Sequence, residues 1–253
     1  WMDYKLNEGN EVICTPLPLY HIFSLTVNCM AMMHFGASNL LIPNPRDIPG
    51  FIKTLQKTRI TMFAGLNTLF NALMNHPGFK EIDFKDLKIT ASGGMALQSS
   101  VAERWEELTG CRIAEGYGLT ETSPVASVNN MDGRIKLGSI GLPVPSTFLK
   151  IISEDAGKEV TESGESGELY IKGPQVMKGY WERPEETEKV MTSDGWFKSG
   201  DVAEITDDGY FKIVDRKKDM ILVSGFNVYP NEIEDVLAQH GKVLEVAAIG
   251  IAD

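Results

Sequence analysis

Between Ile22 and Ile42 the chain carries no charged residue, although Ser24, Asn28, His34, Gly36, Ser38 and Asn39 interrupt the apolar positions. The purely apolar runs are far shorter than the roughly 18–20 residues of a membrane span. The pattern therefore predicts a buried helix followed by a buried strand. Apolar residues three and four apart predict helices over Phe51–Lys57 and Thr68–Asn75. Short β-prone runs predict strands at Ile60–Ala64 and Leu87–Ala91, the second ending in Ser92-Gly93-Gly94. Gln98–Thr109 is amphipathic, with Val101, Trp105 and Leu108 on one face and Gly110 as its stop. Ile113–Ala114 starts a further strand that runs into Gly116-Tyr117-Gly118. Helices alternating with strands point to an α/β layer with parallel strands.

Near Asp132 the period changes. Asp-Gly pairs at 132–133, 194–195 and 208–209 separate strand-like runs at Phe148–Ile152, Glu168–Lys172, Val202–Ile205 and Tyr210–Val214, so hairpins are expected and helical periodicity almost vanishes. The charged run Asp215-Arg-Lys-Lys-Asp219 follows, then an apolar stretch at Met220–Val223, a Ser224-Gly225 break, a helix from about Asn231 to His240 opened by Pro230, and a last strand in Glu245–Asp253. Three regions are expected: 1–131 as the α/β part of a large domain, 132–214 as a β-rich subdomain of the same domain, and 215–253 as a hinge with the first part of a further domain. Residues 216–253 alone are too few for an independent core. A chain that starts on Trp1 and stops on a finished strand reads as a piece of a longer polypeptide.

Composition narrows the classes. Of 253 residues, 43% are hydrophobic, which is ordinary for a globular protein. Twenty-four basic against thirty-five acidic residues give a net charge of −11, which argues against a nucleic-acid surface. Three cysteines without a C-x-x-C pair suggest neither a disulfide framework nor a zinc site, and a cytoplasmic setting is expected. There is no internal repeat and no secretory leader pattern.

The common catalytic signatures are absent: no G-x-S-x-G, H-E-x-x-H, G-x-G-x-x-G or Walker A sequence occurs. What stands out is Gly116-Tyr-Gly-Leu-Thr-Glu121. Glycines around Tyr117 let backbone approach a flat ligand, and the ring offers a stacking face. The Thr120 hydroxyl can bind a phosphate oxygen, and Glu121 is a hard oxygen ligand suited to Mg²⁺. A turn with a core tyrosine and a solvated Thr-Glu pair would look the same. In Asp194-Gly-Trp-Phe-Lys-Ser-Gly-Asp201, the Asp201 carboxylate can reach a ribose diol, or can simply form a turn. Arg216 can bind ribose or phosphate oxygens, or belong to a charged linker. Ser92-Gly93-Gly94 is either a backbone surface for a ligand or a tight turn. Together these residues are the parts of an adenine nucleotide site.

The same residues resemble the adenylate-forming superfamily, and most closely its bacterial long-chain fatty acyl-CoA synthetases. The resemblance runs through PLPLYHIF (Pro16–Phe23), SIGLPVPST (Ser139–Thr147), GPQVMKGYW (Gly173–Trp181), DGWFKSGDVAEITDDGYFKIVDRKK (Asp194–Lys218) and KKDMILVSGFNVYPNEIE (Lys217–Glu234). It implies the adenylate-forming enzyme fold: α/β layers plus a β-rich subdomain, with the start of a small α+β C-terminal domain. It implies ATP, Mg²⁺ and coenzyme A as cofactors or cosubstrates and a long-chain fatty acid as substrate, with no nucleic-acid partner. It leaves open a homodimer and a peripheral contact with the inner membrane, for which no basic amphipathic helix speaks. It further implies that Tyr117 stacks on adenine in a pocket lined by Gly94, Gly116 and Gly118, with Ile213 nearby. Thr120 would meet the α-phosphate, Glu121 would hold Mg²⁺, and Asp201 and Arg216 would take the ribose hydroxyls. His21 falls beside the acyl carboxylate unless it is a satisfied core histidine. Lys218 matches a hinge, and Gly225 lines the pantetheine path. Ala96, Lys198 and Ser199 depart from the commonest pattern without removing a functional group. A phosphate loop and a C-terminal lysine, each needed for adenylation, are expected outside the chain, so the chain alone is expected to be inactive. Another adenylate-forming ligase, or a nucleotide-binding module without catalysis, are the alternatives.

Overall fold

A computed structural model describes residues 6–130, 134–153, 157–223, 226–240, 242–243 and 246–251. The chain divides into two compact units, residues 1–138 and 139–253.

In the first unit, strands β1 (Val12–Thr15), β2 (Ser38–Leu41), β3 (Met62–Gly65), β4 (Ile89–Ser92), β5 (Ile113–Gly118) and β6 (Val125–Val128) lie in the order β2-β1-β3-β4-β5-β6. The pairs up to β4–β5 are parallel, and β5–β6 is antiparallel. Strand alternation divides the apolar residues between two faces. On one face Cys14, Phe63 and Ile113 pack with α2 (Ile48–Leu55), α3 (Asn67–Asn75) and α4 (Ser99–Thr109). On the other, Ile13, Met62, Ile89 and Ala114 pack around Met32. The first face is centred on Trp105, with ring centroids of Phe63, Phe70, Phe79 and Phe84 at 4.7–6.0 Å and its Nε1–H donating to Thr90 Oγ1 at 3.1 Å. Asp47 caps α2 by accepting from the Gly50 N–H, and Gly110 (φ +71°) ends α4 in the left-handed region that glycine enters without a Cβ penalty.

The Ile22–Ile42 expectation needs correction. A π-helix, Ser24–Ala31, continues into α1 (Met32–His34), and its packing is inverted: Ser24, Asn28 and Met32 are buried, while Leu25, Met30 and Met33 are exposed. Asn28 is drawn inward because its Nδ2 donates to the Cys14 carbonyl (3.3 Å) and Thr15 Oγ1 (3.1 Å), while its carbonyl accepts from Asn39 Nδ2 at 2.9 Å. β2 is not buried either, because it lies at the end of the strand order with one side unpaired. Among the described residues no helix is long and apolar enough to cross a membrane.

The second unit opens with the short β7 (Leu142–Pro143) and holds an antiparallel sheet of β8 (Phe148–Ile152), β9 (Glu159–Val160), β10 (Ser166–Lys172), β11 (Phe197–Ile205) and β12 (Phe211–Arg216), in the order β12-β11-β10-β8-β9. Its core is Ile151, Val160, Leu169, Ile171, Phe197, Val202, Ala203 and Val214. A hairpin of β13 (Ile221–Val223) and β14 (Phe226–Val228) precedes α6 (Pro230–Ala238). Helix α5 (Pro184–Val190) was not expected: it buries no residue, so it has no apolar stripe, and only Pro184 at its start, Glu185 and Glu186 in its first turn and Lys189 in its last turn mark it. The expected last strand is absent over residues 246–251, which pair with no strand among the described residues and leave Ile249 and Ile251 exposed. The Asp132-Gly133 and Ser224-Gly225 breaks lie outside the described residues.

At the start of β1, Glu11 is buried and ion-paired with Lys88, and its carboxylate also accepts from the Asn7 N–H at 2.6 Å. Burial pushes the Glu11 carboxyl up, but hydrogen bonds from Lys88, Thr61 and the Asn7 N–H, with the Lys88 charge, outweigh it and hold the pKa below the ordinary carboxylate value. Its contribution is therefore present above the unfolded-state pKa and is lost as pH falls through the folded one. Lys88→Met, which leaves a buried charge unpaired, should cost about 3–5 kcal/mol in urea unfolding at pH 7. The deficit relative to wild type should shrink as the pH falls through the acidic range in which the Glu11 carboxyl is protonated; a deficit independent of pH would contradict this role for the pair.

Candidate nucleotide site

The parallel strands of the first unit end at a common edge, the usual location of ligands in open α/β sheets. β4 leaves this edge through Gly93 and Gly94 (φ +84°), and Gly94 is exposed. β5 carries Gly116, Tyr117 and Gly118 to the same edge. The glycines answer to measurable crowding. A Cβ on Gly93 would lie 3.2 Å from the Gly116 carbonyl oxygen and 3.5 Å from the Phe23 ring. A Cβ on Gly118 would fall on the Pro124 carbonyl, with Val125 Cα at 3.1 Å.

Tyr117 is half-buried and pairs with Ser127 across β5 and β6. Leu119 then leads into a 3₁₀ turn, Thr120–Thr122, on which Thr120 is exposed and Glu121 half-buried. Thr122 is the anchor that sequence reasoning missed. Fully buried, its hydroxyl accepts from the Leu119 N–H at 2.9 Å and bonds the Pro124 carbonyl, closing the turn that presents Thr120 and Glu121. Two further residues escaped notice. The Ser92 and Ser127 hydroxyls are buried without a hydrogen-bond partner among the described residues, on the two strands that flank β5. Nothing in their sequence context distinguishes them from ordinary strand serines.

His21 is exposed, so it is not a core histidine; its Nδ1 accepts from the Phe23 N–H at 3.2 Å. Its segment reaches the glycine edge through Phe23, whose ring faces Gly93.

In the second unit the structure brings Asp201 and Arg216 together. They are register partners on β11 and β12, and Arg216 Nε lies 3.6 Å from Asp201 Oδ1. Asp201 is buried and Arg216 is exposed, so the guanidinium is the accessible half of the pair. Gly200 (φ +74°) precedes Asp201 and donates its N–H to Glu168 Oε1 at 3.2 Å. The Ser199 hydroxyl donates to the Leu169 carbonyl (2.7 Å) and accepts from the Asp201 N–H (3.1 Å). That hydroxyl is what the position contributes to the strand pair. Ile213 is half-buried on β12 opposite Ala203. Lys218 is exposed beyond β12, and Gly225 lies outside the described residues. Asp215, overlooked in the sequence as one acid in a charged run, is buried beside Arg216.

Among the described residues no three His, Cys, Asp or Glu side chains form a metal cluster. Glu121 therefore offers one carboxylate, which fits the way Mg²⁺ binds through one or two carboxylates, substrate phosphates and water, and does not fit an all-protein cage.

Comparison with known proteins agrees with this geometry. The family of AMP-binding enzymes matches residues 1–181, and the chain belongs to it. A curated long-chain-fatty-acid–CoA ligase of Salmonella typhimurium is 56% identical over 246 residues, which cover 97% of this chain and 43% of that protein. The chain therefore spans less than half the length of this relative. ATP-bound MatB from Rhodopseudomonas palustris superposes with a TM-score of 0.86 at 31% identity, covering 99% of this chain and 49% of that one. The o-succinylbenzoate CoA synthetase MenE of Bacillus subtilis, in complex with ATP and a magnesium ion, superposes with a TM-score of 0.83 at 28% identity, covering 100% of this chain and 51% of that one. The fold is that of the adenylate-forming enzymes.

Gly118→Ala tests the crowding at this edge. It should lower stability by ~1–3 kcal/mol in thermal unfolding, because the added methyl must displace the Pro124 backbone. Unchanged stability would show that the 119–124 turn yields freely.

Proposed function

We propose that the whole protein is an AMP-forming, ATP-dependent long-chain fatty acid–CoA ligase, and that this chain supplies nucleotide-binding residues to it. The observation that carries this reading is the 56% identity to a long-chain-fatty-acid–CoA ligase across 97% of the chain. At 31% and 28%, the solved relatives support ATP use less closely. In this reading residues 1–131 and 132–214 belong to one large adenylation domain, and 215–253 start a C-terminal domain that turns about Lys218.

A fatty acid carboxylate is a poor acyl electrophile. Attack on the α-phosphate of ATP converts it to an acyl-adenylate and releases pyrophosphate. The thiol of coenzyme A then attacks the acyl carbon and releases AMP. The protein's part is to align reactants and stabilise charge. Tyr117 stacks on the adenine, in a pocket lined by Gly94, Gly116 and Gly118. Ile213 adds apolar contact. The exposed Thr120 hydroxyl donates to the α-phosphate. Asp201 accepts from the ribose hydroxyls, and Arg216 donates to them. His21 stands near the acyl carboxylate, and Gly225 on the path of the thiol. Glu121 is the residue that would hold Mg²⁺, which would supply positive charge against the triphosphate.

In the full-length protein, Glu121→Ala should lower fatty-acid-dependent ATP–pyrophosphate exchange by roughly 10²-fold or more. Near-normal exchange would remove Glu121 from the mechanism. With octanoate, palmitate and benzoate as substrates, palmitate should give the highest kcat/KM; a preference for benzoate would place the protein among aryl-CoA ligases instead.

A further inference from the structure

We infer that Asp215 is a positioning residue that ties the ribose-binding pair of the second unit to helix α6, so that nucleotide binding and the placement of α6 are coupled. The inference rests on the ribose role proposed for Asp201 and Arg216. Asp215 is buried, and each of its carboxylate oxygens serves a different element. Oδ1 accepts from the Arg216 N–H at 2.7 Å, within the strand that carries the pair. Oδ2 accepts from the Asn231 N–H at 3.1 Å, in the first turn of α6. Asn231 Nδ2 adds a bond to the Val214 carbonyl at 3.3 Å. The first N–H groups of a helix have no intrahelical partner, and the positive end of its dipole favours a carboxylate. The tie is therefore well matched in charge and geometry.

Apolar packing does little to hold α6. Pro230 is its only buried residue, and Ile233, Val236 and Leu237 are exposed. Polar contacts near it include the bond from the Ala248 N–H to Glu234 Oε1 (2.8 Å) and that between the hydroxyls of Ser166 and Tyr229 (3.3 Å). An element with so little packing opens locally at low cost, and a charge-assisted pair of bonds can decide where it rests. Lys218, exposed, lies on the connection that the tie spans. Any turn about it must stretch or break the bonds to Asn231. A ligand that orders Arg216 also orders the N–H that Asp215 holds, and by linkage the placement of α6 acts back on the nucleotide.

The test is amide hydrogen exchange of α6 in the full-length protein, with and without α,β-methylene-ATP, in wild type, Asp215→Asn and Asn231→Ala. In wild type the nucleotide should slow exchange across α6 by roughly tenfold, a mid-range coupling. Asp215→Asn, whose side chain can accept from only one of the two N–H groups, should abolish the slowing and raise KM for ATP several-fold with kcat for pyrophosphate exchange changed less than twofold. Asn231→Ala keeps the buried carboxylate paired and should retain part of the slowing, which keeps the inference testable if Asp215→Asn does not fold. Slowing of wild-type size in Asp215→Asn, no slowing in Asn231→Ala, or none in a wild-type protein that binds the nucleotide, would overturn the tie. A wild-type protein that binds no nucleotide would overturn the ribose reading itself, and the tie with it.

Discussion

Where β5 leaves the parallel edge, Gly118 lies so close to the Pro124 carbonyl that no side chain fits between them, and a Cβ on Gly93 would sit tightly, 3.2 Å from the carbonyl oxygen of Gly116. This approach of backbone to backbone is the constraint on which the rest of the first unit's edge depends. It allows β4 and β5 to end side by side. It lets the chain fold back from β5 into β6 within one short turn, and it leaves Tyr117 at the end of β5 with Thr120 and Glu121 on the turn that follows. The aromatic cluster around Trp105 fixes the strands from one face, so the edge is presented by a rigid layer. Thr122 fixes the turn itself with a buried hydroxyl.

The second unit solves a different problem with charge. A buried carboxylate, Asp201, faces an exposed guanidinium, Arg216, across two antiparallel strands. Such a pair gains little from attraction in water, but it holds a planar donor beside a fixed acceptor, the arrangement on which the proposed ribose role depends. Asp215, next along the strand, points its carboxylate at two backbone N–H groups, that of Arg216 beside it and that of Asn231 at the start of α6. The same short stretch of β12 thus carries both Arg216, the exposed half of the pair, and Asp215, a structural anchor.

Much of this was legible in the residues. Helix α4 was readable from Val101, Trp105 and Leu108 with Gly110 behind them, because amphipathic spacing and a glycine stop are local signals. The β11–β12 hairpin was readable from Asp208-Gly209, for the same reason. Other features depended on partners far along the chain. The helix after Phe23 turns its apolar side outward because Asn28 is claimed by Cys14 and Thr15, which no periodicity reveals. Helix α5 lacked an apolar face to announce it, and residues 246–251 of the expected terminal strand pair with no strand among the described residues. In the candidate site the glycines, Tyr117, Asp201 and Arg216 were visible as residue types suited to a nucleotide. The supporting Thr122 and Asp215 were not, because their importance comes from burial and from which backbone groups they reach.

The central claim is that the Gly116–Glu121 edge receives the adenine. Photolabelling of the full-length protein with 8-azido-ATP, followed by peptide mapping, tests it most directly. Covalent label should appear on the peptide containing Tyr117 and should be suppressed by excess ATP. ATP-protected label confined to peptides without β5 or its following turn would contradict the account.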